Sequence, residues 1–131
     1  MSFGDWAENA AIDWLFGGAT PTRPVTRYVS LHSADPGDTG TNEINGANDL
    51  GYSRKVVTFA AASGGSAVNN GTPPSWTSTD TGNWAAVTHF GVWDASTAGN
   101  FLGGGALTTS RTIGPGDSAT FANGSITITL T

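Results

Sequence analysis

The segment that most constrains the fold of this chain is its C-terminal third, residues 84–130. It reads WAAVTHFGVWDASTAGNFLGGGALTTSRTIGPGDSATFANGSITITL, in which short apolar-polar segments alternate with Gly, Asn, Asp and Pro turns. Such alternation is typical of half-buried β-strands. The same segment holds one histidine, one arginine, no lysine and no cysteine. It therefore predicts a β-scaffold that acts through its shape.

The strand pattern extends over most of the chain. Strand-like segments are found at 25–31, 53–59, 66–70, a short stretch near Trp76, 88–94, 101–109, 118–122 and 125–130. Turn residues at 98–100, 114–117 and 123–124 predict hairpins, and the Asn123-Gly124 pair is typical of a type I′ turn between the last two strands. We therefore predict an all-β fold, an antiparallel β-sandwich of about eight strands, for which a jelly roll is one possible arrangement.

One α-helix is predicted near the N-terminus, over about residues 3–16. Its apolar residues recur at helical spacing, with acids and Asn9 on the other face. Ser2 is the expected N-cap, and Gly17-Gly18 is the expected end. Two roles for the apolar stripe stay open: it covers one end of the sheet core, or it anchors the chain in a neighbouring subunit. The stripe consists of Phe3, Trp6, Ala7, Ala10, Trp14 and Leu15.

Residues 33–52 are predicted to form a long loop, because they contain turn signals and no sustained periodicity. We expect this loop to reach a neighbouring protein, and its deletion to spare the fold. It carries four of the ten acids, which could gather around calcium, although their spacing does not match an EF-hand. The alternative is a solvated acidic loop, and we predict no metal ligands. These acids are Asp35, Asp38, Glu43 and Asp49.

The composition argues against several classes of function. With 131 residues, the chain is predicted to be one domain, 1–131. Only 11% of residues are charged and the net charge is −5, so there is no basic patch for nucleic acid. No cysteine, signal peptide or long apolar run is present. We expect no nucleic-acid partner, no membrane partner and no cofactor.

Catalysis is the next function that the sequence argues against. His32 or His89 with a serine and an aspartate would make a nominal triad, but a serine-rich chain offers such coincidences and lacks a Gly-x-Ser-x-Gly elbow. We predict no catalytic residues and no enzymatic activity. Three roles stay open for Trp76, Trp84 and Trp93: a platform for sugar stacking, a subunit interface, or the core.

Four stretches of the chain resemble a known family. They are RYVSLHSADPGDTGTNEI, SRKVVTFAAASGGS, WAAVTHFGVWDASTAGNFLGGGALTTSRTIGPGD and FANGSITITL. Together they look like the short tail-fibre-like structural proteins of tailed bacteriophages and prophages, over roughly residues 3–130. The resemblance implies a virion component without catalysis, which is made in the host cytoplasm and assembled into the particle. The chain lacks the heptads, collagen-like triplets and long β-repeats of an extended shaft.

We therefore expect a compact tail-associated protein, tail fibre-like or a baseplate adaptor, acting through subunit interfaces. A capsid decoration protein and a carbohydrate-binding module for host attachment are the alternatives. The expected partners are other virion proteins and further copies of this chain, with a host glycan as the alternative partner. The candidate interface residues are Phe3, Trp6, Trp14, Asp35, Asp38 and Trp76.

Overall fold

The computed structural model describes residues 1–130 and is mostly β, with one helix near the N-terminus. A curled antiparallel sheet of seven strands, in the order β1-β7-β6-β2-β3-β4-β9, faces a small sheet formed by β5 and β8. The predicted all-β sandwich with an N-terminal helix is confirmed. The elements are β1 (Ser2–Phe3), α1 (Asp5–Phe16), β2 (Arg27–His32), β3 (Lys55–Phe59), β4 (Ser66–Asn70), β5 (Ser75–Thr77), β6 (Val87–Trp93), β7 (Phe101–Arg111), β8 (Ser118–Thr120) and β9 (Thr127–Thr129).

The centre of the large sheet is buried on both faces. In β2, which lies between β6 and β3, all four residues from Val29 to His32 are buried. Val29 and Leu31 belong to the hydrophobic core, whereas Ser30 and His32 point to the opposite face because side chains alternate along a strand. Predicting β2 at 25–31 placed its start too early, since Val25 is 93% exposed and precedes the strand.

The small sheet closes one end of the core. Trp76 of β5 is 1% exposed, and its ring packs edge-to-face on Phe121, with centroids 5.9 Å apart. Phe121 in turn packs on Phe90 of β6, at 5.8 Å. The indole Nε1 of Trp76 donates a hydrogen bond to the carbonyl oxygen of Ser53 at 2.7 Å, so its only polar atom is paired.

Of the three predicted hairpin turns, only 98–100 joins two paired strands. It connects β6 to β7, with positive φ at Ala98 (50°) and Gly99 (78°). The carboxylate of Asp94 accepts hydrogen bonds from the backbone and side-chain nitrogens of Asn100, both at 2.7 Å. Residues 114–117 form a turn as predicted, but β7 and β8 do not pair, so it is not a hairpin.

The predicted hairpin at Asn123-Gly124 is wrong. β8 pairs with β5 and β9 with β4, so the chain crosses between sheets at this turn. The buried Asn69 explains the crossing, because its side chain donates to the carbonyl of Ala122 (3.0 Å) and accepts from the N–H of Ile126 (2.8 Å). Only Gly124 has positive φ (80°), which fits a type II turn and not type I′.

Helix α1 begins two residues later than predicted, because residue 3 belongs to a strand. Phe3 lies opposite Gly103 in β7, and Gly4 is the N-cap residue without any side-chain hydrogen bond, so Ser2 is not the cap. A Cβ on Gly4 would come within 2.7 Å of the carbonyl oxygen of Phe101, which favours glycine at this close approach. The helix ends as predicted at Gly17, whose φ is 85°.

The long loop at 33–52 lacks helices and strands, as predicted, but it packs against the sheet. Ile44 is 4% exposed and belongs to the core. Glu43 forms an isolated β-bridge with His32 and an ion pair with Arg54, 2.7 Å between Nη2 and Oε2. These contacts argue against the expectation that deleting this loop would spare the fold, because deletion would open the core and leave Arg54 unpaired. Within residues 1–130, no helix is long and apolar enough to cross a membrane.

Candidate functional site: an apolar helix beside a groove

Helix α1 exposes an unusual amount of apolar surface at its C-terminal end. Ile12, Leu15 and Phe16 are 58%, 59% and 82% exposed, and no residue of the helix is fully buried. Their i, i+3, i+4 spacing places them on one side of the helix. We call these three residues the outward stripe. Contiguous exposed apolar side chains of this kind mark sites of protein-protein contact.

The other side of α1 forms one wall of an apolar groove of about 840 Å³. The wall includes Trp6, Ala10 and Trp14, and strand residues such as Val92 and Leu102 also line the groove. The alanines at 60–62 and the connector at 21–24 also line the groove. The small alanine side chains leave this space open, so the groove can accept bulky side chains from another molecule.

The charge of the groove is positive, although the chain as a whole is negative. Arg23 and Arg27 both line it, and no acidic residue does. These are two of only five basic residues in the chain. Partial burial and the neighbouring Arg23 lower the pKa of Arg27. The last turn of α1, by contrast, carries no basic residue to offset the negative end of the helix dipole.

Three of the six predicted interface residues lie together at this groove. Phe3 and Trp6 are half-buried along it, and Trp14 is 70% exposed at the same site. All residues of the predicted stripe except Leu15 thus line an open groove, and of the two roles left open for the stripe, covering the core is at most partial. Interface contact through these residues stays a prediction.

The other predicted interface residues lie elsewhere. A carboxylate oxygen of Asp35 accepts the backbone N–H of Gly37 at 2.9 Å, and the backbone carbonyl of Asp38 accepts the N–H of Asp5 at 3.2 Å. Both acids are exposed in a turn beside the start of α1. Trp76 is the residue for which the prediction is wrong, because its side chain lies in the core and has no free surface.

The sequence also contains a signal for the outward stripe. Helical spacing predicts acids and Asn9 on the face opposite Trp6, but Ile12 and Phe16 interrupt this polar face in the second half of the helix. Leu15 was placed on the core-facing stripe but is 59% exposed. A second apolar stripe at i, i+3 and i+4 would have indicated these residues. Nothing local indicated that Arg23 and Arg27 line a groove.

The three tryptophans proposed as a sugar-stacking platform are buried. Trp76, Trp84 and Trp93 are 1%, 2% and 7% exposed. A ring stacks on a sugar only if one of its faces is open to solvent. These residues therefore serve the interior of the protein, and the platform is not formed.

A buried hydrogen-bond network joins Ser30 and His32 on the second face of the sheet. The indole Nε1 of Trp93 donates to the Ser30 Oγ at 2.9 Å, and this Oγ lies 2.7 Å from the His32 Nε2. The His32 Nδ1 lies 2.7 Å from the carbonyl oxygen of Thr41. A carbonyl only accepts, so Nδ1 carries the proton and Ser30 donates to Nε2.

This serine-histidine contact cannot act as a catalytic pair. Ser30 and His32 are both 0% exposed. The His32 Nδ1 donates to a backbone carbonyl, whereas in a catalytic triad this nitrogen donates to a carboxylate. A Cβ at Gly91 would lie 2.7 Å from both polar atoms, so the site has no room for a substrate. The network satisfies buried polar groups and positions the loop at 33–52 on the sheet.

We expect the buried His32 to make the fold sensitive to acid. Burial lowers its pKa below the ordinary 6.5, so the unfolded chain takes up a proton more readily than the folded chain. Stability is therefore complete above pH 6.5 and falls as the pH drops from 6.5 through the folded pKa. Urea unfolding at pH 7.5, 6.5 and 5.5 measures this slope, and His32→Gln should flatten it.

A second loss of stability is expected at lower pH. Burial raises the pKa of Glu43, but hydrogen bonds from Arg54 and Tyr52 outweigh this and leave it below its ordinary 4.5. The stabilisation from the ionised Glu43 carboxylate is present above pH 4.5 and is lost as the pH falls through its folded pKa.

The first loss, between pH 7.5 and 5.5, is assigned to His32. If His32→Gln left the slope of stability against pH unchanged in this range, that assignment would be contradicted.

The acids of the 33–52 loop are held separately. Glu43 pairs with Arg54, a carboxylate oxygen of Asp49 accepts the N–H of Ala85 at 3.1 Å, and Asp35 closes its own turn. Across residues 1–130, no three His, Cys, Asp or Glu side chains are grouped as metal ligands would be. The calcium alternative therefore finds no support in the arrangement of these side chains.

A comparison with models of protein families places this chain in a known family. A family model described as "Podophage GP4 fiber I protein gp80" matches residues 2–129. The match includes both sheets, α1 and the groove. A search of curated proteins found no match.

Proposed function

Because this chain belongs to the family of the podophage GP4 fiber I protein gp80, we propose that it is a tail-associated structural component of a phage virion. In this proposal it has no enzymatic activity and acts through interfaces with other virion proteins. It is a compact, tail fibre-like protein or baseplate adaptor that becomes part of the particle after synthesis in the host cytoplasm.

The observation that supports this function best is the apolar surface around α1. The outward stripe and the adjoining groove expose large hydrophobic side chains that the rest of the described chain leaves uncovered. Removing apolar surface from water contributes about 25 cal/mol per Å². Covering this surface with another virion protein would therefore stabilise an assembled particle.

The alternatives receive less support from the structure. The sealed contact between Ser30 and His32 offers no site for hydrolysis. Burial of Trp76, Trp84 and Trp93 removes the feature that suggested a carbohydrate-binding module. Capsid decoration would use the same kind of apolar surface, so it is distinguished from the tail role by location on the particle.

The proposal is tested by measuring where this chain resides in purified particles. After heads and tails are separated, quantitative mass spectrometry should find it with the tails. The variant Phe16→Ser should fold normally, because that side chain is 82% exposed, yet be several-fold depleted from tails. Val56→Ser is the matched control, since Val56 is 52% exposed on β3 and does not line the groove.

Two outcomes would contradict this proposal. Recovery of the chain with the heads would assign it to the capsid, as a decoration protein. Equal amounts of Phe16→Ser and Val56→Ser in the tails would remove the outward stripe from its role in assembly.

A further inference from the structure

We propose that the outward stripe binds a second copy of this chain, by inserting into the apolar groove of that copy. This inference rests on the proposed function and names the partner of the same surface. The stripe consists of Ile12, Leu15 and Phe16, and the groove lies between α1 and the alanines at 60–62. The two surfaces match in shape and in charge, and α1 carries the stripe and part of the groove.

The two surfaces are complementary in size. The stripe presents one aromatic and two branched aliphatic side chains. The groove, at about 840 Å³, lies within the range of roughly 300–1,000 Å³ typical of binding pockets, and alanines form much of its lining. Large side chains on one surface can therefore enter the space that small side chains leave on the other, as in well-packed subunit interfaces.

The two surfaces are also complementary in charge. Arg23 and Arg27 give the groove a positive charge with no acid among its lining residues. The outward stripe lies at the C-terminal end of α1, where the helix dipole is negative and no basic residue is present. Asp13 in the same part of the helix adds a negative charge. Docking the stripe would bring this negative end towards the two arginines.

The stripe cannot fill the groove of its own chain. With 3.6 residues per turn, Phe16 and Ile12 point away from the side of α1 that bears Trp6 and Ala10. Because the stripe and the groove lie on opposite sides of one helix, the contact joins one copy to the next head to tail. Such heterologous contacts generate a closed ring when the rotation between successive copies closes.

Disulfide trapping tests the contact directly, because the natural chain has no cysteine. Phe16→Cys and Ala61→Cys chains carrying different tags are mixed and oxidised, and the mixed disulfide is quantified. Ala61 is exposed and lines the groove. We expect at least tenfold more mixed disulfide from this pair than from Val56→Cys mixed with Ala61→Cys. Equal yields would overturn the inference.

A second measurement does not depend on cysteine variants. Sedimentation should show self-association of the wild-type chain that Arg23→Glu weakens at least tenfold. Arg111→Glu is the control, since it changes the net charge equally but lies outside the groove. A wild-type chain that stays monomeric at millimolar concentration would overturn the inference, as would an equal effect of the two substitutions.

These results can be separated from the proposed function. If neither trapping nor sedimentation detects a pair, while Phe16→Ser is still depleted from tails, the stripe binds a different virion protein. That outcome overturns the second-copy inference and leaves the structural role intact. If no pair is detected and Phe16→Ser is also present in tails at the normal amount, both proposals lose their basis.

Discussion

Replacing Arg54 with methionine should lower the free energy of unfolding by about 3 kcal/mol, the lower end of the loss for breaking a buried ion pair, because both residues are only partly buried. The side chains of Arg54 and Glu43 are 8% and 21% exposed. The arginine Nε and Nη2 donate to both carboxylate oxygens of Glu43, at 2.8 and 2.7 Å. Removing the guanidinium leaves the partly buried carboxylate of Glu43 without its charged partner.

The loss is expected to be large because this guanidinium also joins separate parts of the chain. Its Nη1 donates to the carbonyl oxygens of Ala95 and Ala98, at 3.0 and 2.7 Å, within the turn between β6 and β7. Its central carbon lies 3.6 Å from the centroid of a Trp93 ring, a cation-π contact. The 33–52 loop, the start of β3 and the β6–β7 turn therefore depend on one side chain.

Urea unfolding at pH 7.5 measures this effect against two controls. Lys55→Met removes the same charge from the next residue, which forms no ion pair within the described chain, and should cost about 0.5 kcal/mol or less. Glu43→Gln combined with Arg54→Met should recover part of the loss, because no buried charge remains unpaired. A loss in Arg54→Met no larger than in Lys55→Met would contradict the role given to the pair.

The second large effect is expected at Trp76, where substitution by alanine should cost about 3–5 kcal/mol. This ring is 1% exposed and packs edge-to-face against Phe121, which in turn packs on Phe90 of the large sheet. Its loss would leave a cavity between β5 and the core and the carbonyl of Ser53 without its donor. Thermal or urea unfolding of the purified variant measures the loss.

Trp14→Ala is the matched control for this prediction, because the same residue type is removed from an exposed position. Trp14 is 70% exposed, so we expect a change of about 0.5 kcal/mol or less. A ratio near one between the two losses would contradict the assignment of Trp76 to the core. Trp76→Phe retains an aromatic ring but loses the hydrogen bond to Ser53, so its loss of unfolding free energy should lie between those of Trp76→Ala and Trp14→Ala.

The local patterns predicted the class of fold but not the pairing of its strands. Alternation and turn residues located most strands, and Gly17 ended the helix where expected. The turn at Asn123-Gly124 resembles a hairpin in sequence, yet its two arms lie in different sheets because Asn69, more than 50 residues earlier, bonds both sides of the turn. A contact so distant in sequence leaves no periodic signal.

The candidate site also depends on contacts between residues distant in sequence, which local patterns do not reveal. Helical spacing identified Phe3, Trp6 and Trp14, which the structure brings together at the groove. It could not show whether their stripe was covered, because that depends on where the sheet lies. The sequence left the core open as one of three roles for Trp76, and turn signals alone gave no reason to expect a buried residue in the 33–52 loop; long-range packing places Trp76 and Ile44 in the core.

The copy number of this chain in separated tails tests whether it is a structural protein of the tail that assembles through α1. We expect a fixed number of copies per tail in wild-type particles and with Val56→Ser, and several-fold fewer with Phe16→Ser. An absence of the chain from wild-type tails, or full occupancy with Phe16→Ser, would contradict it.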